Sequence, residues 1–150
     1  MTTVRVQTAP FDMAAEVAAL RRLPGVGAIV TFTGVCRDEG GRLTALELEH
    51  YPGMAEAEIE RIADEAAARW PLAGVTVIHR FGTIAVGDDI VLVATAAGHR
   101  EAAFRAASFL MDYLKASAPF WKKEHPAAPA TAGDWVAARG ADADAADRWR

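Results

Sequence analysis

Apolar side chains recur along this chain with two different periods. Alternating or β-branched apolar runs predict five strands, over 3–8, 26–33, 43–50, 75–81 and 89–96. Helical spacing predicts three helices, over about 13–22, between Gly53 and Pro71, and over about 100–116. The resulting order is βαββαββα, in which two pairs of strands have no helix between them. This order predicts the α+β class with a mixed, largely antiparallel sheet rather than a doubly wound parallel one.

The predicted helices have recognisable starts, ends and buried stripes. Asp12 can cap the first helix, and Pro24-Gly25 stops it. In the second helix the apolar positions at helical spacing are Ile59, Ile62, Ala63, Ala66 and Trp70. In the third helix the expected buried stripe is Phe104, Ala107, Met111 and Leu114.

The segments between these elements predict how they connect. The cluster Asp38–Gly41 predicts a hairpin with a long loop between the second and third strands, and residues 82–88 form an expected turn region. Pro126 and Pro129 among alanines predict a connector, and Trp135-Val136 predicts a short strand. The last ten residues are compatible with a marginal helix or a frayed end. Residues 1–150 are therefore expected to form one domain, with 126–150 as connector and C-terminal tail.

Composition and charge narrow the class of protein. A chain of 150 residues with 52% hydrophobic and 24% charged residues can bury a core without disulfides or metals. The net charge of −4 argues against a nucleic-acid binder, because phosphate-backbone affinity needs an electropositive surface. No membrane partner is expected, since the start of the chain lacks an apolar leader and no run reaches about 18 apolar residues. With a single cysteine, these features indicate a protein of the reducing cytoplasm.

Sequence motifs for nucleotide or metal chemistry are missing. The dinucleotide fingerprint, the Walker loop and the HExxH motif do not occur. Metal-ligand spacing is lacking among the four histidines, His50, His79, His99 and His125, so neither a metal nor another cofactor is expected. Cys36 has no nucleophile motif around it, and we interpret it as a small buried filler.

The segment from 111 to 125 is the best candidate for chemistry. Lys115 and Lys122 flank the apolar stretch 118–121, which includes Phe120. An ammonium group beside such a stretch loses hydration, which disfavours its charged form and favours proton transfer or nucleophilic attack. The alternative is that Lys115 complements the carboxyl end of a helix while Lys122 and Lys123 are solvated.

Three further basic residues lie at the ends of predicted elements, where loops on a scaffold build sites. Arg37 follows Gly34, and its forked guanidinium group suits a phosphate. His99 and Arg100 fall where a strand gives way to a helix, so free backbone N–H groups there can attract an anion. Taken alone, Arg37 and Arg100 are each more often solvated side chains than anion ligands, and sequence does not show that these residues converge.

A series of motifs carries a family resemblance over nearly the whole chain. In order, these are EHYPGM (49–54), RWPL (69–72), VTVIHRFG (75–82), HR (99–100), MDYLK (111–115) and APFWKKE (118–124). With these segments at these separations, the chain closely resembles the catalytic (large) subunit of molybdopterin synthase.

The resemblance implies a fold, an activity and partners. It implies an α/β hammerhead fold and a homodimer that binds a small ubiquitin-like sulfur carrier at each end, giving a heterotetramer. The carrier's Gly-Gly tail ends in a thiocarboxylate that enters a pocket and gives up sulfur to cyclic pyranopterin monophosphate. Two transfers yield the dithiolene of molybdopterin, which makes the chain a sulfurtransferase of molybdenum cofactor biosynthesis.

Residue roles follow from the same resemblance. The essential lysine falls on Lys115 and the second important lysine on Lys122, while Phe32 begins the Phe-x-Gly-x-x-Arg loop that ends at the anion-binding Arg37. His99 and Arg100 match a pair that can reach the site from the neighbouring protomer. Expected supporting residues are Lys123 and Glu124. Because both reactants are anionic, several fixed cations in one cleft would reduce their mutual repulsion and orient them.

Two other functions compete with this interpretation. One is a non-catalytic module that docks a ubiquitin-like protein, against which the Lys115 and Lys122 pair argues. The other is an unrelated lysine-dependent enzyme acting on a phosphorylated metabolite, whose activity would need no protein partner.

Overall fold

The fold is described here from a computed structural model, which describes residues 1–38, 40–117, 119–126, 135–136 and 145–149. The strands are β1 (Thr2–Gln7), β2 (Ala28–Val35), β3 (Leu43–His50), β4 (Leu72–Arg80), β5 (Gly82–Ala85), β6 (Asp89–Ala97), β7 (Phe120–Pro126) and β8 (Trp135–Val136). The helices are α1 (Met13–Arg21), α2 (Met54–Arg69) and α3 (Arg100–Ser117). The three predicted helices and five predicted strands are confirmed, with boundaries shifted by up to three residues.

The strands form two four-stranded sheets. The first has the order β1-β4-β6-β2, and the second has the order β5-β3-β7-β8. Among these pairs β1 and β4 run parallel, and the others run antiparallel. The predicted α+β class with mixed, largely antiparallel pairing is therefore confirmed.

The predicted hairpin between the second and third strands is wrong. β2 pairs with β6 in the first sheet, whereas β3 lies in the second sheet between β5 and β7. The physical reason is the burial of β6, whose residues Val91–Ala97 are all buried. An apolar strand of this kind needs a partner on each edge, and β4 and β2 supply them.

Two strands were not predicted. β5 occupies part of the expected turn region 82–88, and β7 takes up the lysine segment together with Pro126, the first residue of the expected connector. Both strands pair with β3, one along each of its edges. Short strands with weak alternation form here because β3 offers them a hydrogen-bonding template. The predicted short strand at Trp135-Val136 is confirmed, whereas the rest of the connector, 127–134, lies outside the described residues.

Helices cover both faces of the first sheet. The predicted stripe of α2 is buried as expected, with Trp70 partly buried, and packs with residues of α3 against Val75, Val77 and Val93. On the opposite face, Leu20 of α1 packs against Ala94 and Ala96. Asp12 caps α1 by accepting a hydrogen bond from the Ala15 N–H at 3.2 Å, as predicted.

The predicted stripe of α3 is wrong at one position. Phe104 is 62% exposed, although Ala107 and Leu114 are buried. The helix buries its face through small side chains such as Ala103 and Ala106, which let it approach the sheet closely. The same face buries Phe109 and Leu110 completely, so the buried face of the helix is rotated away from Phe104.

The end of the chain docks on the helices. Trp149 makes edge contacts with Trp70 and Phe109 at centroid distances of 5.9 Å each, and its indole N–H donates to Asp112. Arg69 donates a hydrogen bond to the Trp149 carbonyl at 3.0 Å. Residues 145–149 are therefore anchored and not frayed, while residues 137–144 and 150 lie outside the described part of the chain.

Across the described residues, no helix is both long enough and apolar enough to cross a membrane.

Candidate active site

Lys115 and Lys122 act on the same side chain, the ring of His79. Lys115 lies in the last turn of α3, and Lys122 lies in β7. The pKa of His79 is lowered to about 4, mainly by burial and in smaller part by the charges of Lys115, Lys122 and His50, while the hydrogen bond with the Arg80 carbonyl acts in the opposite direction. Lys122 follows Phe120 by two residues in β7, and Leu114, the residue before Lys115, packs in the same cluster as Phe120. The structure therefore brings these two predicted site residues to one place.

His79 belongs to an aromatic group next to the lysines. Its ring stacks on Phe120, with centroids 3.8 Å apart and planes inclined by 14°. His50 also stacks on Phe120 at 5.8 Å and lies 4.3 Å from the ring of Phe81. We call His50, His79, Phe81 and Phe120 the aromatic platform. The platform is apolar, as expected for this stretch, but the side chains of Lys115 and Lys122 are both exposed, so the expected loss of hydration at the two ammonium groups stays a prediction.

The neighbours of Lys122 in β7 divide between two faces of the strand. Alternation along the strand places Phe120, Lys122 and Glu124 on one face, and Lys123 on the opposite face. Lys123 pairs in register with Glu47 of β3. Of the two predicted supporting residues, Glu124 thus shares the face of Lys122, and Lys123 does not.

Arg37 and Phe32 lie at the same end of the first sheet as the two lysines. β2 ends where β6 begins, because Val35 pairs with Asp89. α3 runs back along β6, so that Leu114 and Phe120 share one buried cluster with Val91. Arg37 comes two residues after β2 and is exposed at this end.

Gly34 holds the beginning of this loop tightly against the sheet. A Cβ atom added at Gly34 would lie 2.7 Å from Cγ1 of Val91 and 3.5 Å from the ring of Phe32. Phe32 is 38% exposed on the edge strand. Packing therefore explains the glycine of the Phe-x-Gly-x-x-Arg loop, since only glycine leaves room for Val91 beside the Phe32 ring.

Cys36 connects this loop to the second sheet but does not have the properties of a nucleophile. It is 1% exposed and packs in one cluster with Leu48, the register partner of Lys122, and with Ile84. Burial raises the pKa of the Cys36 thiol, and the charge of Asp88 raises it further, while a hydrogen bond with the backbone of Leu46 acts in the opposite direction. The reactive thiolate is therefore disfavoured, and the interpretation of Cys36 as a buried filler is confirmed.

His99 and Arg100 lie far from the lysines of the same chain. β6 ends at Ala97 and α3 begins at Arg100, so both residues are at the amino end of α3, whereas Lys115 is at its carboxyl end. Fifteen residues of helix separate Arg100 from Lys115, a distance of about 22 Å. The structure thus places the predicted site residues in two groups at opposite ends of one helix.

A cavity of about 560 Å³ accompanies the group at the amino end of α3. Its walls come from Trp70 and Pro71 after α2, and from Gly98, His99 and Arg105 around the start of α3. Glu101 also lines this cavity and pairs with Arg105 at 3.3 Å, so its carboxylate offsets the charge of that guanidinium. The free N–H groups of the first turn of α3 are the remaining feature that suits an anionic ligand.

Two functional candidates in β4 were missed in the sequence. His79 was counted among histidines without a role, and Arg80 was not singled out. Arg80 is 6% exposed, and its guanidinium donates to the Thr8 carbonyl at 3.0 and 3.2 Å and to the Asp89 carbonyl at 2.9 Å. The available signal was the pair His79-Arg80 at the end of an otherwise apolar strand, since buried polar groups need specific partners.

Within the ranges that the structure describes, no three His, Cys, Asp or Glu side chains form a group that could hold a metal ion.

Comparison with known proteins gives consistent results. Residues 6–117 match the family described as "MoaE protein". The molybdopterin synthase catalytic subunit of Rhizobium meliloti (strain 1021) is 64% identical over 148 residues, which cover 98% of this chain and 95% of that protein. The subunit of the same name from Mesorhizobium japonicum is 62% identical over 149 residues, covering 99% of this chain and 93% of that protein.

A solved structure agrees with the sequence relatives. The molybdopterin biosynthesis MoaE protein from Burkholderia ambifaria MC40-6 superposes with a TM-score of 0.84 at 51% sequence identity, covering 99% of this chain and 98% of that chain. The family match extends over more than half of the chain, and the relatives extend over nearly all of it. This chain therefore belongs to the MoaE family.

Proposed function

We propose that this chain is the catalytic subunit of a molybdopterin synthase. It transfers sulfur from the C-terminal thiocarboxylate of a small ubiquitin-like carrier to cyclic pyranopterin monophosphate, and two transfers complete the dithiolene. The observation that carries the proposal is the convergence of Lys115 and Lys122 on the aromatic platform in a chain of the MoaE family. The curated relatives named above bear the same designation.

The charges at the site suit the two reactants. The thiocarboxylate and the substrate phosphate are both anions, so they repel each other unless fixed cations lie between them. Lys115 contacts the thiocarboxylate or moves a proton during sulfur addition, and Lys122 stabilises the negative charge that develops. Arg37, at the same end of the first sheet, holds an anionic group of the substrate. Phe32, Glu124 and Lys123 support these residues.

His99 and Arg100 serve the site of a second copy of the chain. Within one chain they lie about 22 Å from Lys115, too far to contact one small substrate together with it. A twofold symmetric dimer can bring the amino end of α3 in one protomer to the carboxyl end of α3 in its partner. The complete enzyme is then a homodimer with one carrier bound at each end.

The proposal also covers organisation and location. Residues 1–150 act as one domain, in which 126–150 form the connector and tail. The enzyme works in the cytoplasm, where a reducing environment keeps the carrier's sulfur from forming disulfides.

An assay with purified components tests this function. The chain is mixed with thiocarboxylated carrier and cyclic pyranopterin monophosphate, and molybdopterin is measured. The wild type is expected to form product, and Lys115→Ala to lose at least about a hundredfold in rate, as expected when a group acting on the reacting atoms is removed. Lys115→Arg keeps the charge but changes its geometry, and it is expected to recover only part of the loss.

Arg61→Ala is the matched control, because Arg61 is a cation on α2 that pairs with Glu58 and Glu65. It is expected to keep wild-type activity. Normal product formation by Lys115→Ala would refute the assignment of this lysine. Carrier binding without any product from the wild type would instead favour a non-catalytic docking module.

A further inference from the structure

His79 is a partly buried titratable group that the proposed chemistry does not use. It is the penultimate residue of β4 and shares a face with Val75 and Val77, which belong to the core beneath α2 and α3. Its neighbours in register are Val6 of β1 and Val91 of β6. A histidine in this apolar setting requires a specific reason, because burying a polar ring costs free energy unless it is hydrogen-bonded.

The ring of His79 is held at one edge. Its Nδ1 atom lies 2.8 Å from the carbonyl oxygen of Arg80. A carbonyl oxygen can only accept, so Nδ1 must donate, and in the neutral ring Nε2 then carries no proton. Arg80 is itself fixed through hydrogen bonds from its guanidinium to the carbonyls of Thr8 and Asp89. The ring is therefore attached to a rigid part of the first sheet.

The face of the ring supports Phe120. The two rings are nearly parallel at 3.8 Å, which is close stacking. Phe120 begins β7 three residues after α3 ends at Ser117, and it shares a strand face with Lys122. Phe120 is thus the first residue of the strand that carries Lys122, shortly after the end of the helix that carries Lys115.

The ring also remains uncharged where a charge would be harmful. With a pKa of about 4, only about one ring in a thousand is protonated at pH 7. An imidazolium near Lys115 and Lys122 would repel both ammonium groups. The histidine ring is both flat and uncharged. A lysine or arginine at position 79 would carry a positive charge.

From this geometry we propose that His79 is a positioning residue for the lysine pair: its neutral ring, locked by the Arg80 carbonyl, supports Phe120 and so sets Lys122 relative to Lys115. The inference rests on the proposed function for its catalytic consequence. Its structural part, the effect of His79 on the two lysines, can be tested without any activity.

The kinetic test uses His79→Ala and His79→Phe in the complete enzyme with its carrier. His79→Ala is expected to lower kcat by about 10- to 100-fold and to change KM by less than about threefold, because misplaced groups lose transition-state stabilisation. His79→Phe restores the flat neutral surface and is expected to recover kcat to within about fivefold of the wild type. Wild-type kcat in folded His79→Ala, or no recovery in His79→Phe, would overturn the proposal.

His125→Ala is the matched control. His125 is a histidine in β7, near Glu47, on the strand face opposite Phe120 and Lys122. It is expected to keep kcat within about twofold of the wild type, as a surface substitution should. A loss equal to that of His79→Ala would mean that any disturbance of β7 has the same effect, and the proposal would fail.

Nuclear magnetic resonance separates this inference from the proposed function. The ¹⁵N signals of His79, assigned by their loss in His79→Phe, should show a neutral ring protonated at Nδ1 at pH 7. The chain has three lysines, and ¹³C-methylation labels all of them. The signals of Lys115 and Lys122 should shift in His79→Ala and return in His79→Phe, while Lys123, on the other strand face, should not move.

The outcomes distinguish the two ideas. Unchanged Lys115 and Lys122 signals in His79→Ala, or a ring protonated at Nε2, would overturn the positioning role whatever the activity. If the lysine signals behave as expected but the wild type forms no molybdopterin, the positioning role stands and the proposed function fails.

Discussion

Arg100 and Lys115 lie at opposite ends of α3, fifteen residues and about 22 Å apart. Both are basic residues for which the resemblance implies a role at one site. A single chain cannot satisfy both roles, because a straight helix holds the two residues apart. The site as proposed therefore needs residues from two protomers.

Mixing two inactive variants tests this sharing. Lys115→Ala and Arg100→Ala chains, each inactive alone, are unfolded together and refolded with carrier present. Half of the dimers are then mixed, and each mixed dimer has one intact site, so about a quarter of wild-type activity should return. Molybdopterin formation is the measurement.

The control mixes Lys115→Ala with Lys122→Ala. Both altered residues belong to the group near the carboxyl end of α3, so one protomer supplies both of them to a site. Each mixed dimer then has one altered lysine in each site, and no activity should return. Recovery in this control, or none in the first mixture, would contradict a site shared across protomers.

The partly buried ring of His79 predicts a loss of stability in acid. Its pKa is about 4 in the folded chain and about 6.5 when unfolded, so the unfolded chain binds more protons between these values. The contribution of His79 to the free energy of unfolding should therefore be fully present above about pH 6.5. It should decrease as the pH falls towards 4, by roughly 3 kcal/mol in total. The groups that act on the ring are Lys115, Lys122 and His50.

Urea unfolding at pH 7, 6 and 5 measures this effect by comparing the wild type with His79→Phe. The phenylalanine variant cannot take up the proton, so its free energy of unfolding should fall less steeply over this range. Parallel pH profiles for the two proteins would show that His79 is not the responsible group.

The docked end of the chain should contribute to stability. Trp149 contacts Trp70 and Phe109, and its N–H reaches Asp112. Trp149→Ala should lower the free energy of unfolding by about 2–3 kcal/mol, since it removes a partly buried aromatic side chain. Arg148→Ala, whose side chain is 57% exposed, should cost less than about 1 kcal/mol. Equal losses would mean that Trp149 is not the anchor.

A pair of glycines offers a matched test of backbone packing. A Cβ atom at Gly27 would collide with the carbonyl oxygen of Gly98, whereas a Cβ at Gly98 would lie 3.6 Å from its nearest neighbour, the Gly25 carbonyl oxygen. Gly27→Ala should therefore cost about 2–3 kcal/mol, because backbone must move, and Gly98→Ala should cost less than about 1 kcal/mol. Melting temperatures measure both, and the reverse order would contradict this packing.

Cys36→Ser should remain active. The thiol is buried and its pKa is raised, so sulfur transfer has no accessible thiolate at this position. A modest loss of stability is expected from placing a hydroxyl group in an apolar cluster. A large fall in molybdopterin formation by the folded variant would instead indicate that sulfur passes through Cys36.

The order of most elements and much of the candidate chemistry could be predicted from the sequence. Local signals suffice for these features: Asp12 caps α1, the spacing from Ile59 to Ala66 defines the buried face of α2, and the lysines flank an apolar stretch. Such signals depend only on neighbours along the chain, so they can be recognised without knowledge of the fold.

Other features depended on contacts between distant segments. The partner of β2, the strand that carries Lys122 and the exposure of Phe104 follow from which surfaces meet, and several arrangements suit the same local pattern. His79 illustrates the difference most clearly, because as a residue in the sequence it is one histidine among four. Only the tertiary structure places Phe120 against its ring and two lysines beside it, and it is this burial that lowers its pKa. By itself, therefore, the sequence determined most elements, the family resemblance and the reactive residue types, while long-range packing alone decided which of those residues share a site.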